Sequence, residues 1–180
     1  MRIDLHAHSS VSDGTDSPAE LVGNAAAAGL DVVALTDHDT FDGWPAATGA
    51  AADTGVVVVP GVEMSTRLHG AGVHVLAYLP DPGYGPLADE LARVRVSRAT
   101  RLTEMTDRLT DAGLPIDLDD VLAVAGRAST LGRPHVADAM VAKGYVADRS
   151  EAFAAWLWEG GPAYVPKYAP AAVDAVRMVG

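Results

Sequence analysis

Three short apolar runs, each followed at once by ionisable residues, constrain this chain more than any other feature. Residues 2–8 alternate, with Ile3, Leu5 and Ala7 on one face and Arg2, Asp4, His6 and His8 on the other. Residues 31–37 form a second run ending in Thr36-Asp37-His38-Asp39, and the β-branched residues 56–59 form a third that breaks at Pro60-Gly61, just before Glu63. Ala-rich stretches lie between them. Ser17-Pro18-Ala19-Glu20 has the spacing of a capping box with proline at the first helical position, and the helix it opens is expected to stop at Gly29. A second helix, about 44–53, closes at Gly55, and residues 73–79 read as a fourth strand. Apolar strands separated by helices predict an α/β fold with a buried, largely parallel sheet. In such sheets functional residues gather at the carboxyl ends of the strands.

The character changes beyond Pro86. Leu87, Leu91, Val94, Leu102, Met105 and Leu109 fit one face of a long helix ending at Gly113, and shorter helices are expected at 117–125, 133–143 and 149–158. Residues 170–179 look helical, and Gly180 stands where a further strand–helix unit would begin. A β/α barrel usually needs more than ~200 residues. With 180 residues and four clear strands, the chain reads as an incomplete one.

Charge and composition narrow the chemistry. The formal net charge is −11, from 24 acidic and 13 basic residues, so bulk electrostatics repel a nucleic-acid backbone and argue against a stable coating of DNA or RNA. A phosphate-bearing substrate is compatible with such a surface only where bound cations reverse the local field. There is no cysteine, which excludes disulfides and thiolate metal sites and makes a reducing cytoplasm the expected location. No run of ~18 apolar residues is present to span a membrane. Neither G-x-x-x-x-G-K nor G-x-G-x-x-G occurs, so no nucleotide cofactor is expected.

The six histidines carry the most information. His6 and His8, two apart on a strand, project from one face and can aim two nitrogens at one cation. Asp13 follows in the loop after that strand, Asp37 and His38 end the second, Glu63 lies just past the third, and His74 falls in the fourth. Imidazole and carboxylate without thiolate suit zinc, manganese or iron. A lone histidine beside apolar residues is more often a packing residue than a ligand, and His69, before Gly70-Ala71-Gly72, is read as an exposed loop residue. For Asp37, capping or orienting a ligand histidine is preferred to direct ligation. Arg93, Arg95, Arg98 and Arg101 on the long helix form the kind of run that is usually a solvated face, the alternative being a lid over an RNA end. Tyr145, Trp156, Trp158, Tyr164 and Tyr168 are assigned mostly to packing against the sheet.

Asp4-Leu5-His6-Ala7-His8-Ser9, then Thr36-Asp37-His38-Asp39, then Gly61-Val62-Glu63 and His74, resemble the successive motifs of the PHP (polymerase and histidinol phosphatase) family. The resemblance implies a distorted (β/α)7 barrel with up to three divalent ions (manganese, zinc or iron) at its carboxyl face. It divides the chain into strand–helix units over 1–83, a mainly helical insertion over 84–165, and a return to the barrel over 166–180. It further implies one metal on His6, His8 and Glu63, a second on Glu63, His74 and His135, and a third on Asp13 and His38. Glu63, Asp37 and Arg133 are the catalytic candidates, with Arg133 and Lys167 on substrate phosphate.

Gly132-Arg133-Pro134-His135-Val136-Ala137 and Tyr164-Val165-Pro166-Lys167 resemble the branch of nucleotide phosphatases and 5′→3′ exoribonucleases. The activity so implied is hydrolysis of a nucleotide or short RNA phosphate ester through a metal-bound hydroxide, with a small phosphorylated molecule or RNA end as partner. Rival readings are a phosphatase of the histidinol-phosphate type and a non-catalytic metal-binding module. The family also supplies a late Asp-x-His pair and a His-Pro element, which these residues lack. The first and third metal sites are therefore expected to be incomplete, with weak metal binding and little turnover from the 180 residues alone.

Overall fold

The computed structural model describes residues 1–179, and the position read above for Gly180 lies outside them. In chain order the elements are β1 (Ile3–Ala7), α1 (Pro18–Ala27), β2 (Val32–Leu35), α2 (Trp44–Thr54), β3 (Val57–Leu68), β4 (Ala71–Tyr78), α3 (Gly85–Asp111), α4 (Leu118–Ala125), α5 (Arg133–Ala142), α6 (Arg149–Ala152), a π-helical turn (Phe153–Leu157) and α7 (Ala172–Val179). They fall into two units. The first holds Met1–Val94, Ala128–Thr130 and residues 169–179, and the second Arg95–Arg127 and Leu131–Tyr168. None of the described helices is long and apolar enough to cross a membrane.

In the first unit the sheet runs β1-β2-β3-β4. β1 with β2 and β2 with β3 pair parallel, as the strand–helix alternation predicts. β4 departs from that pattern and runs antiparallel to β3. The cause is the link between them. His69 and Gly70 alone join the strands, with φ of 50° and 87°. Two residues of positive φ make a tight hairpin and cannot make the long crossover that parallel pairing demands. His69 is exposed at that tip.

β3 also outruns its expected end. Pro60 pairs opposite Leu35 at the last position of the β2 ladder, and the β4 ladder begins at Gly61. A proline at the seam of two ladders can lack its N–H without breaking either. Glu63 therefore stands within the strand rather than after it.

α1 begins as the capping box requires: the Ser17 hydroxyl accepts the Glu20 N–H at 3.3 Å, and the Glu20 carboxylate accepts the Ser17 N–H at 2.9 Å. Its face of Leu21, Val22 and Ala25 packs with Val33, Leu35, Ala47 and Val56. Val62, Met64 and Ala77 of the hairpin pack with Leu87, Leu91 and Ala175. β1 buries neither of its faces fully, since Ile3 and Leu5 are about half exposed.

The second unit is helical, and its core joins Leu102, Met105, Leu109, Val121, Val136, Met140, Leu157 and Val165. Tyr145 and Trp156 pack on this helical core rather than on a sheet, while Trp158 is half exposed. The arginine run of α3 is not a uniformly solvated face. Arg93 is open to solvent, but Arg98 and Arg101 are only 5% and 7% exposed. Their place in the helical period explains it: Arg98 follows Val94 by four residues and Arg101 abuts Leu102, on the stripe that Met105 and Leu109 continue.

Candidate metal centre

Strand geometry brings six of the expected residues together in the first unit. His6 and His8, two positions apart, leave β1 on one side. β2 runs on into Asp37 and His38, and His38 makes an isolated parallel bridge with Glu63. On the hairpin, His74 is the cross-strand partner of Ser65. Glu63, two residues from Ser65, shares that face and becomes the diagonal neighbour of His74.

Glu63 is the hub. Its Oε2 lies 2.6 Å from His6 Nε2, 2.7 Å from His8 Nε2 and 3.9 Å from His38 Nδ1, while Oε1 meets His74 Nδ1. Asp13 approaches from the loop after β1, with Oδ1 2.8 Å from His8 Nδ1 and Oδ2 3.6 Å from His38 Nε2. The rings form an arc: His6–His8, His8–His38 and His38–His74 centroids are 5.1, 4.8 and 4.8 Å apart. Glu63 and His38 are buried, whereas the outer imidazoles of His6 and His74 are about half open to solvent.

Three overlapping trios result: His6, His8 and Glu63; His8, Asp13 and His38; His38, Glu63 and His74. The donor set fits divalent cations. Glu63 Oε2, His6 Nε2 and His8 Nε2 are separated by 2.6, 2.7 and 3.1 Å. Ligands held ~2.1 Å from a common ion stand about 3 Å from one another.

Asp37 holds no place in these trios. Its Oδ1 accepts the Ser9 N–H at 2.8 Å and the Ser12 hydroxyl at 2.6 Å, and its Oδ2 accepts the Ser9 hydroxyl at 2.6 Å. It ties the loop after β1, and with it His8 and Asp13, to the end of β2. Asp39, quoted within a motif but given no role by sequence reasoning, does the same one strand over. Its carboxylate accepts the Ser65 N–H at 2.7 Å and hydroxyl at 2.8 Å, and its N–H donates to the Glu63 carbonyl at 3.1 Å. Asp39 has φ 54°, a conformation that aspartate tolerates better than most residues, so the second Asp of Thr36-Asp37-His38-Asp39 was a readable turn signal.

Gly14 is equally unforgiving. A methyl group there would overlap the His8 carbonyl. Gly14→Ala is therefore expected to displace the His8–Asp13 loop and weaken divalent-metal binding at least tenfold, with little change in secondary structure. Metal titration alongside circular dichroism would check this, and unchanged affinity would contradict it.

In the absence of metal, burial disfavours a charged His8, but Asp13 and Glu63 outweigh it and raise the imidazole pKa to about 9. Burial alone would raise Glu63, yet bonds from His74 and His8, the charge of His38 and a bond from His6 hold it far below the usual carboxylate range. A raised histidine pKa contributes stability that is complete below the unfolded value of 6.5 and lost as pH climbs through about 9. Metal-free protein should accordingly melt at progressively lower temperature between pH 7 and 9.5, and His8→Gln should flatten that slope. Metal uptake near neutrality should also release a proton, visible as a buffer-dependent heat of binding.

His135, Arg133 and Lys167 belong to the second unit. His135 is buried, and its Nδ1 accepts the Gly132 N–H at 3.1 Å. In the neutral ring that places the proton on Nε2, so His135 as it stands offers a donor rather than a ligand lone pair. Arg133 donates to the Leu157 carbonyl at 2.9 Å and lies against the rings of Phe153 and Tyr164. Lys167 is partly buried in the segment before α7.

Residues 4–113, which hold every member of the three trios, match the family model for the PHP domain. Over 182 residues the chain is 36% identical to a 5′-3′ exoribonuclease of Haemophilus influenzae, with 99% of this chain and 66% of that protein aligned. It is 35% identical to a 3′,5′-nucleoside bisphosphate phosphatase of Chromobacterium violaceum, with 98% and 62% aligned. Among solved structures, a Bifidobacterium adolescentis protein described as a metal-dependent phosphoesterase superposes at a TM-score of 0.93 and 37% identity, over 100% of this chain and 64% of that one. A Chromobacterium violaceum amidohydrolase, solved with sulfate and without metal, gives 0.93 at 34% identity, over 99% and 63%. The chain thus spans between 62% and 66% of the length of these relatives. A match over more than half of the chain, on the same stretch that assembles the histidine–carboxylate cluster, establishes that this protein belongs to the PHP domain family.

Proposed function

We propose that this chain is the metal-holding part of a phosphoesterase that hydrolyses nucleotide or short RNA phosphate esters in the cytoplasm, and that its strands contribute to a (β/α)7 barrel. The observation that carries the reading is the Glu63 carboxylate ringed by His6, His8, His38 and His74, with Asp13 beside it. The names of the relatives favour a nucleotide or RNA substrate.

Divalent cations such as manganese, zinc or iron, held by these six residues, supply Lewis acidity and positive charge for a phosphate ester. The side chains set the conditions for that. Glu63 and Asp13 provide the negative charge that makes a cation favourable in a buried site. The imidazoles give nitrogen donors without adding charge, so a centre loaded with two or more cations would be net positive on a protein of charge −11. The half-open faces of His6 and His74 leave an approach from solvent. Asp37 and Asp39 hold the donors in place through serines. Arg133 and Lys167 of the second unit bind substrate oxygens.

The test is metal analysis of the purified protein, followed by assays of the complete gene product with manganese. The panel is a 5′-mononucleotide, a 3′,5′-bisphosphate, a 5′-phosphorylated oligoribonucleotide and histidinol phosphate. Release of phosphate or mononucleotide from a nucleotide or RNA, lost on chelation, is the expected result. Turnover of histidinol phosphate alone, or none at all, would overturn the proposal.

A further inference from the structure

Trp158 in the second unit is half exposed, the most open of the three tryptophans. A single exposed apolar side chain is ordinary on a protein surface. What sets this one apart is that its seat is built. A side chain at Gly161 would stand 2.9 Å from Cδ1 and Nε1 of the indole, and one at Gly160 would stand 3.2 Å from Cζ3 at the opposite end. Two neighbouring residues touch both ends of an indole only where their backbone crosses the ring. The glycines thus cover one face, and 50% exposure is what the other face leaves. Gly160 takes φ 97°, a conformation that suits glycine and few other residues.

The backbone around the ring is pinned. The Trp158 N–H donates to the Phe153 carbonyl at 3.1 Å, which closes the π-helical turn, and the Trp158 carbonyl accepts the Gly161 N–H at 2.8 Å. The Gly161 carbonyl in turn accepts the Tyr164 N–H at 3.0 Å. Single π-helical turns are rare and occur frequently at functional sites. This one ends at Leu157, whose carbonyl accepts the Arg133 guanidinium at 2.9 Å. Arg133 is therefore bonded to the peptide that joins Leu157 to Trp158, and a cation and an open aromatic face come together across one residue.

We infer that Trp158 is the base-stacking platform of a nucleotide subsite: the exposed face of its indole takes a nucleobase, and the phosphate of the same ligand lies toward Arg133. The phosphate end rests on the function proposed above, whereas the platform rests on the second unit's own geometry. An apolar side chain of a protein partner would gain from the indole but not from the guanidinium beside it. A nucleotide uses both. Every base has a π-face, so stacking tolerates any base and suits a mononucleotide and an RNA end alike.

The experiment uses the complete gene product, stripped of metal with a chelator so that binding is separated from hydrolysis. It would be titrated with adenosine 5′-monophosphate, a 5′-phosphorylated oligoribonucleotide and ribose 5-phosphate, with tryptophan fluorescence and calorimetry as readouts. The monophosphate and the oligonucleotide should quench the part of the emission that Trp158→Phe removes, and ribose 5-phosphate should bind without quenching it. Trp158→Ala should weaken the base-bearing ligands about tenfold and leave ribose 5-phosphate unchanged. Trp158→Phe, which keeps a smaller plate, should lose less, and circular dichroism checks that each variant folds.

Equal losses for the two base-bearing ligands place the terminal base on the indole. A loss with the oligonucleotide alone places a later base there, and either result assigns a base to the platform. No quenching by either ligand at millimolar concentration, parental affinity for both in Trp158→Ala, or an equal loss for ribose 5-phosphate would overturn it. So would shielding of Trp158 from acrylamide, which would mean that the complete product or a partner covers the face. Glu63→Gln should keep the quenching, so failure of the metal centre leaves the platform standing. An unquenched indole leaves the metal centre and its hydrolysis standing.

Discussion

Glu63→Gln should abolish divalent-metal binding at the centre, with affinity falling by 100-fold or more, about 2.7 kcal/mol. Residues that merely orient metal ligands typically cost 10–100-fold when removed, and Glu63 touches more of the cluster than any orienting residue does. Glutamine keeps the volume and one carbonyl oxygen, so the core around Val62 and Met64 should persist. What it loses is the charge, and one of the two oxygens that face different histidines. Oε1 serves His74, while Oε2 serves His6 and His8. Glu63→Asp offers a sharper comparison, because it keeps the charge but shortens the reach by one methylene. It should bind metal with intermediate affinity, since an aspartate cannot reach both groups at once. Metal content after dialysis, with circular dichroism to confirm folding, decides the matter. A Glu63→Gln protein with the metal stoichiometry of the parent would remove the basis of the proposed function.

How much of this could be read beforehand depends on whether the signal was local. The capping box at Ser17 and Glu20 needs four residues and a helical turn, and it forms as its spacing says. Gly55 closes α2 in the left-handed conformation for the same local reason. That His6 and His8 share a face follows from strand geometry alone. The direction of β4 could not be read from the strand itself: a mostly apolar strand looks the same parallel or antiparallel, and the His69-Gly70 turn before it decided the matter. Pro60 misled because a proline ends a strand only where its N–H is needed, and at the seam of two ladders it is not.

Arg98 and Arg101 were readable but were weighed by residue type instead of by phase. Counting on by four from Val94 puts Arg98 on the buried stripe, whereas four arginines in nine positions suggest a wet surface. For the site, the residue types named the cluster, but not the pairings within it. His8 joining Asp13, and His38 standing between Asp13 and Glu63, depend on how the loop after β1 folds back.

That loop is held by Asp37, whose removal should be the most damaging change outside the cluster itself. In Asp37→Ala the Ser9 N–H, the Ser9 hydroxyl and the Ser12 hydroxyl lose their common acceptor in a place where Ser9, Ser12 and Asp37 are all at most 1% exposed. A buried donor left unmet costs ~1–3 kcal/mol, and some recovery by hydroxyl rotation puts the total near 3–4 kcal/mol. For a chain of this size that is a fall of roughly 10 °C in melting temperature. Asp37→Asn should lie between, because its carbonyl oxygen can satisfy part of the set while its amide opposes a donor.

Burial raises the Asp37 carboxyl against the pull of Ser12 and Ser9, so it takes up a proton at a higher pH than an exposed aspartate does. The measurement also separates bracing from chemistry. If Asp37 acts only by holding the loop, raising the metal concentration should restore occupancy in Asp37→Asn, and turnover by the complete gene product should return with it. If occupancy returns and turnover does not, Asp37 has a part in the reaction itself, and its bonds to Ser9 and Ser12 are the means by which it is aimed.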